Sequence, residues 1–173
     1  MPAPRSLRAL NALDQPAFTE ALGAVFEHSP WVAERAWAKG PFATVGHLHT
    51  AMVATVRSAS ADDQLALLRA HPDLAGKTAR AGTMGADSGA EQASAGLDQL
   101  SDCEYQRFQR LNAAYRETFG FPFIIAVRRH DRVGILAAFT RRLGHSREQE
   151  VETALTEVAE IARLRLDRLV GRP

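Results

Sequence analysis

Apolar residues recur along most of this chain at intervals of three and four, the spacing that places side chains on one face of an α-helix. Near the N-terminus, Phe18, Leu22, Val25 and Phe26 fall at i, i+4, i+7 and i+8. Asp14 stands just before them and is a favoured residue at a helix N-cap. This pattern predicts a helix that begins after Asp14 and buries all four apolar side chains.

Similar stripes continue to the C-terminus and predict an all-α fold. A helix before His71 must end there, because Pro72 disfavours the helical conformation of the residue before it. The stripes are Val45, Leu48, Met52 and Val56; Leu65 and Leu68; Phe108, Leu111, Tyr115 and Phe119; and Ile135 and Phe139. A last helix is predicted from Arg147 to about Val170. Together they predict one irregular helical bundle of about seven to nine helices. We expect a single domain over residues 1–173, with its core at about 10–170.

Two segments break the helical pattern. Residues 76–90 contain several glycines and almost no bulky apolar side chain, so we interpret them as a long glycine-rich loop, a feature that is often functional. The segment "FGFPFIIAV" at 119–127 resembles a strand, but Pro122 argues against a central position in a sheet. An extended apolar segment buried between helices fits better. It is either core that links two helices or the wall of an apolar pocket whose backbone N–H groups bind a ligand.

Three serines each precede a Glu or Gln by three residues, the pattern of a helix capping box. They are Ser88 with Glu91, Ser101 with Glu104, and Ser146 with Gln149. Each pair predicts the start of a helix.

Composition excludes several classes of protein. The hydrophobic fraction of 46% and the charged fraction of 24% are typical of a globular domain. A net charge of +1 gives no electrostatic reason to expect nucleic acid or an anionic membrane as a partner. We find no signal peptide and no membrane-spanning run, and the single cysteine allows no internal disulfide. These features suit a reducing cytoplasm.

The stretch "HPDLAGKT" at 71–78 ends like a phosphate-binding loop, but the first glycine of that motif is replaced by His71. A helix, rather than a buried strand, precedes it. His71 therefore stands at a helix C-terminus beside the glycine-rich loop, where it either caps the helix or faces a cleft as a titratable group. Glu91, on the far side of that loop, is either the reciprocal arm of a capping box or a carboxylate that the loop brings to His71.

Arg165 interrupts an apolar stripe in the last helix. Val151, Leu155, Val158, Ala162, Arg165 and Leu169 follow one another at spacings of 4, 3, 4, 3 and 4. A buried arginine is costly unless it is paired, so Arg165 must meet a carboxylate or a ligand anion, or extend its head group out of the stripe. Arg163 lies off the stripe. The histidines and the cysteine show no metal-binding spacing.

Four motifs together resemble one enzyme family. They are "HPDLAGK" at 71–77, "EQASAGLDQL" at 91–100, "FGFPFI" at 119–124 and "EIARLRL" at 160–166. In this order and spacing they are similar to the 2-oxo-4-hydroxy-4-carboxy-5-ureidoimidazoline (OHCU) decarboxylases, which form (S)-allantoin from OHCU in uric acid degradation. The similarity runs from about residue 10 to residue 170.

The resemblance implies an all-helical cytoplasmic enzyme, commonly a homodimer, that needs neither a metal nor an organic cofactor. It implies a small-molecule substrate and the catalytic pair His71 and Glu91. It also implies substrate contacts from Pro72, Ser88, Gln92, Arg165 and the backbone at Phe123, Ile124 and Ile125. Two alternatives remain: a cofactor-free lyase or isomerase for another small anionic heterocycle, and a non-enzymatic helical interaction module.

Overall fold

A computed structural model describes residues 6–76, 79, 81 and 84–170. Within these residues it contains nine α-helices, one short 3-10 helix and no β-strand, which confirms the all-α prediction. The α-helices are α1 (Leu7–Asn11), α2 (Gln15–Leu22), α3 (Trp31–Trp37), α4 (Val45–Arg57), α5 (Ala61–Arg69), α6 (Ala86–Ser94), α7 (Asp102–Phe119), α8 (Arg132–Arg142) and α9 (Arg147–Leu169); the 3-10 helix is Val127–Arg129. No helix in the described part of the chain is both long enough and apolar enough to cross a membrane.

Side-chain caps start most of the helices. Asp14 accepts a hydrogen bond from the Ala17 N–H at the start of α2, as predicted. The capping box of Ser101 and Glu104 is complete, and the Ser146 and Gln149 side chains each accept a hydrogen bond from the other residue's backbone N–H. Each such cap contributes about 1 kcal/mol by satisfying helix N–H groups that have no partner in the helix.

The third predicted capping box is wrong. Helix α6 begins after Gly85, which makes no side-chain capping bond. Ser88 and Glu91 therefore lie within the helix, and both side chains are buried. The predicted loop at 76–90 is also too long, because residues 86–90 are helical. Residues 77, 78, 80, 82 and 83 of that prediction lie outside the described residues.

Contacts between Cα atoms divide the chain into two compact units, each with its own core. Among the described residues, the first contains 6–70 and 159–170. In it, α2 packs on α3 and α3 packs on α4. Helix α2 ends at Leu22, so the predicted helix is too long, but Val25 and Phe26 are buried as expected.

The second unit contains the described residues from His71 to Val158. Its core is a cluster of aromatic rings around the buried Tyr115 of α7. The rings that contact Tyr115 belong to Phe119, Phe121, Phe123 and Phe139. Helix α6 packs against the 3-10 helix within this unit. The prediction that residues 1–173 form a single domain stays a prediction.

An acid-sensitive hydrogen-bond set lies at the start of α7. The Ser101 hydroxyl, the Ser101 N–H and the Arg132 guanidinium donate to Glu104, and they lower the pKa of Glu104 from 4.5 to about 2. A carboxyl whose pKa is lower in the folded state stabilises the fold above its unfolded pKa, and this contribution disappears as the pH falls through the folded pKa.

We therefore expect Glu104→Gln to destabilise the protein at neutral pH and to matter progressively less as the pH falls from 4.5 toward about 2. Urea unfolding of both proteins at about pH 6 and about pH 3 measures this difference. An equal gap between the two midpoints at both pH values would contradict the assignment.

Candidate active site

His71 lies directly after α5 in the second unit, and only 7% of its surface is exposed. Helix α5 ends at Arg69, as the proline after His71 predicted. Burial and a position at the edge of an irregular segment are features of a functional histidine. His71 also makes at least one interaction within the protein.

Four side chains hold the turn that follows His71. The Gln92 amide accepts from the Ala75 N–H at 2.8 Å and donates to the Asp73 carbonyl at 3.2 Å. From α7, Asn112 donates to the Leu74 carbonyl at 2.8 Å, Gln109 donates to the Ala75 carbonyl at 3.0 Å, and Arg116 Nε donates to the Asp73 carboxylate at 2.8 Å. We call this set the turn clamp. It fixes the backbone that follows His71 to two helices.

The turn clamp holds a strained residue. Ala75 has φ of +50°, in the left-handed region that side chains other than glycine rarely adopt. Such a conformation costs roughly 1–3 kcal/mol and persists where the surroundings fix it. Here both the N–H and the carbonyl of Ala75 are bonded to side chains, and Ala75 is buried.

Helix α6 carries three of the predicted site residues. Ser88, Glu91 and Gln92 are exposed by 5%, 9% and 4% of their surface. Buried polar side chains are expected to be hydrogen-bonded, and all three make interactions within the protein. Since Gln92 binds the turn after His71 and neighbours Glu91, the structure ties the two segments of the predicted catalytic pair together. The direct pairing of His71 with Glu91 stays a prediction.

The segment at 121–127 is buried at every residue and has no strand pairing, as predicted. It follows Gly120, which ends α7 with φ of +80°, a left-handed conformation that suits glycine. The segment leads into the 3-10 helix, against which α6 packs. The backbone of Phe123, Ile124 and Ile125 is therefore connected to the helix that carries Glu91.

Two charged side chains from neighbouring helices form hydrogen bonds with the backbone of the segment at 121–127. Arg142 of α8 donates to the Ile124 carbonyl at 2.7 Å, and its guanidinium carbon lies 4.3 Å from the centre of the Phe123 ring. Glu157 of α9 accepts from the Ala126 N–H at 2.8 Å. The two bonds fix the peptide groups on either side of Ile125.

Arg142 belongs to a buried ionic network. Its Nε donates to Glu150 Oε1 at 2.7 Å, the Tyr115 hydroxyl donates to the same oxygen, and His145 Nδ1 lies 2.8 Å from Oε2. Glu150 is fully buried and Arg142 is exposed by only 2%. Burial and, to a lesser degree, the hydrogen bond to Glu150 raise the pKa of Tyr115, so its hydroxyl stays a donor.

Arg165 lies in the first unit and is exposed by only 3%, which confirms that the arginine in the apolar stripe is buried. Its Nη1 donates to Glu27 Oε2 at 2.9 Å and lies 3.3 Å from the Ala24 carbonyl. Arg165 thus meets a carboxylate, one of the partners that its burial required. The ion pair holds one side of the guanidinium, and a role in binding substrate stays a prediction.

Sequence reasoning missed several residues that support the site. A usable signal existed for two of them: Asn112 and Arg142 fall among apolar residues at helical spacing, the same anomaly that identified Arg165. Glu157 and Gln109 give no such signal, because polar residues occur at helical spacing on both sides of each.

Comparisons with known proteins identify the family that this chain resembles. A family model described as OHCU decarboxylase matches residues 11–167. An OHCU decarboxylase of Haloferax volcanii is 52% identical over 161 residues, which cover 93% of this chain and 94% of that protein. The mouse (Mus musculus) OHCU decarboxylase is 40% identical over 162 residues, covering 94% of this chain and 91% of the mouse protein.

Solved structures show the same fold. The crystal structure of an (S)-allantoin synthase superposes with a TM-score of 0.77 at 35% sequence identity, covering 97% of this chain and 54% of that one. A crystal structure of an OHCU decarboxylase in the presence of (S)-allantoin superposes with a TM-score of 0.70 at 22% identity, covering 92% of this chain and 100% of that one.

Proposed function

This chain belongs to the OHCU decarboxylase family, and from that membership we propose the roles of its site residues. The reaction is the decarboxylation of OHCU to (S)-allantoin and CO2 in uric acid degradation, and the enzyme is a carboxy-lyase. The observation that carries the residue assignment is the turn clamp, which binds the backbone after His71 to the neighbour of Glu91.

The substrate makes this chemistry possible without an external electron sink. When the carboxylate leaves as CO2, the electron pair of the broken carbon–carbon bond moves toward the adjacent ring C=N bond. The ring nitrogen takes up a proton, and an enediol-like intermediate results. A proton added to one face of the former C=N carbon then creates the S centre, while the hydroxyl group on the decarboxylated carbon loses its proton and becomes a carbonyl. The protein therefore needs to orient the substrate, stabilise the developing charge and move protons.

We assign proton transfer to His71, with Glu91 as the group that orients it. His71 engages the hydroxyl or the carboxylate of the substrate, and a positioned acid delivers the proton to one face of the intermediate. Both side chains are almost fully buried in the second unit. Proton transfer by a positioned group typically contributes about 10²- to 10⁴-fold to a rate.

The buried segment at 121–127 supplies an apolar wall beside backbone hydrogen-bonding groups. A carboxylate placed against such a wall is poorly solvated, which favours its conversion to neutral CO2. The backbone of Phe123, Ile124 and Ile125 is proposed to hold the ring and ureido groups. Pro72, Ser88 and Gln92 complete the proposed contacts in this unit; Gln92 still has one amide hydrogen and one oxygen lone pair beyond the turn clamp.

Circular dichroism of the reaction product tests the proposed function. Freshly made OHCU is given to the enzyme, and the optical activity of the allantoin that forms is followed. The S enantiomer is expected in excess, whereas spontaneous decay gives racemic allantoin. A racemic product formed at the uncatalysed rate would refute the proposal.

Arg165 is proposed to bind an anionic or carbonyl oxygen of the substrate. Arg165→Lys keeps the positive charge but loses the planar fork of donors. We expect KM to rise about ten- to a hundredfold, the equivalent of one or two lost hydrogen bonds to a charged group, while the protein stays folded.

The matched control for this variant is Arg163→Lys. Arg163 lies on the same helix, is partly exposed and pairs with Asp167 four residues on. It should keep the wild-type KM. A wild-type KM for Arg165→Lys as well would count against the substrate-binding role.

We further propose that the enzyme is a homodimer and acts in the cytoplasm, as the resemblance implies. Sedimentation of the purified protein across a range of concentrations measures the subunit number. Cell fractionation determines the compartment.

A further inference from the structure

Two peptide groups of the buried segment are bonded on one side by charged side chains. Arg142 donates a hydrogen bond to the carbonyl of Ile124, and Glu157 accepts one from the N–H of Ala126. These groups belong to the two peptide units that flank Ile125. The remaining polar groups of the same two units are the N–H and the carbonyl of Ile125 itself. Neither forms a hydrogen bond within the described ranges 6–76, 79, 81 and 84–170.

In an extended residue the N–H and the carbonyl point to the same side of the backbone, as they do when residues of neighbouring strands exchange a pair of hydrogen bonds. The carbonyl before the residue and the N–H after it point to the opposite side. Ile125 belongs to neither a helix nor a turn. With this residue extended, Arg142 and Glu157 hold one edge of the backbone, and Ile125 presents a donor and an acceptor at the other. A ureido group or a cyclic amide offers the complementary carbonyl and N–H.

We propose that Glu157 is a positioning residue of this enzyme: it holds the Ala126 N–H so that the N–H and carbonyl of Ile125 face the ureido or ring amide of the substrate. The inference rests on the proposed function, because the substrate supplies the amide. Glu157 does not touch the substrate in this arrangement. It acts through the backbone, with Arg142 as the second anchor of the same edge.

Two substitutions distinguish the effect of the charge of Glu157 from the effect of its side-chain length. Glu157→Asp keeps the charge but withdraws the carboxylate by about the length of one carbon–carbon bond, ~1.5 Å, which breaks a bond of 2.8 Å to the Ala126 N–H. Glu157→Gln loses the charge but keeps an amide oxygen at the same reach. We expect Glu157→Asp to raise KM about three- to tenfold with kcat within about twofold of wild type, and Glu157→Gln to have nearly the wild-type KM.

The control is Glu152→Asp, which makes the same chemical change at an exposed position of the same helix. Aspartate has a lower helix propensity than glutamate, and this variant measures the effect of that difference alone. We expect its kcat and KM to equal those of the wild type. Thermal unfolding of all four proteins shows whether each variant is folded. A purely structural role for Glu157 would lower Tm or the fraction of active enzyme but would leave KM unchanged.

Initial rates are measured from the optical activity of the product formed from freshly made OHCU. A wild-type KM for folded Glu157→Asp would overturn the inference, as would an equal rise of KM in Glu157→Asp and Glu157→Gln. If the wild-type protein itself gives only racemic allantoin at the spontaneous rate, the proposed function fails instead, and the two failures are distinct.

Discussion

His71→Ala is expected to lower kcat by about 10²- to 10⁴-fold, the contribution typical of a positioned proton-transfer group. Imidazole is the group of the proposed pair whose unperturbed pKa lies near neutrality, which suits it to proton transfer. Glu91→Gln keeps the size of the side chain but removes the charge that orients His71. We expect a smaller loss of kcat, about 10- to 10²-fold, and little change of KM.

The control for the histidine variant is His130→Ala, which removes an exposed imidazole from the same structural unit. Turnover is followed by the circular dichroism of the product, and thermal unfolding verifies that each variant is folded. Near-normal turnover of folded His71→Ala or of folded Glu91→Gln would show that the assignment of the pair is wrong.

Glu150→Leu is expected to lower the free energy of unfolding by about 3–5 kcal/mol, because it leaves the buried Arg142 without its counter-charge. Glu150 Oε1 accepts from both Arg142 and Tyr115, and the carboxylate has no exposed surface. Urea unfolding at neutral pH measures the loss as a shift of the midpoint at constant m-value.

A double variant tests the cause of this loss. Replacing both members of a buried ion pair by apolar residues is often neutral, whereas removing one member is strongly destabilising. Arg142→Met combined with Glu150→Leu is therefore expected to be more stable than Glu150→Leu alone. If removal of Arg142 destabilises Glu150→Leu further, the cost does not come from an unpaired buried charge.

The helices could be predicted from sequence because their signals are local. Stripes such as Phe108, Tyr115 and Phe119 satisfy a simple spacing rule, and Gly120 ends that helix in the left-handed conformation that glycine favours. The extended segment after it was predicted for the same reason, since its proline and its continuous apolar run are visible in the sequence. The buried state of Arg165 followed from its place in a stripe.

Competing local signals explain the errors. Ser88 and Glu91 have the spacing of a capping box, but α6 starts two residues before Ser88, at Ala86, with Gly85 at its N-cap position. The pattern Ser-x-x-Glu also occurs inside helices, where both side chains face a buried surface. The alternation of small and polar residues at 86–90 likewise resembled a loop, because it contains no large apolar residue.

The turn clamp could not be predicted because its partners are distant in the sequence. Gln92, Gln109, Asn112 and Arg116 lie 17 to 43 residues from the backbone or side-chain groups that they bind. No local pattern connects them to the turn after His71. The partner of Arg165 is more distant still, since Glu27 lies 138 residues away. Sequence patterns indicated that Arg165 needed an anion but could not identify it.

The left-handed conformation of Ala75 has a consequence for how this enzyme matures. Local interactions do not stabilise this conformation. Ala75 therefore adopts it only after α6 and α7 have packed against the turn, when the amides of Gln92 and Gln109 form hydrogen bonds that compensate for the strain. Contacts between distant parts of a chain form late, because closing the intervening loop costs entropy. A newly made chain is therefore expected to acquire its helices first and its catalytic competence afterwards, in one of the last steps of folding.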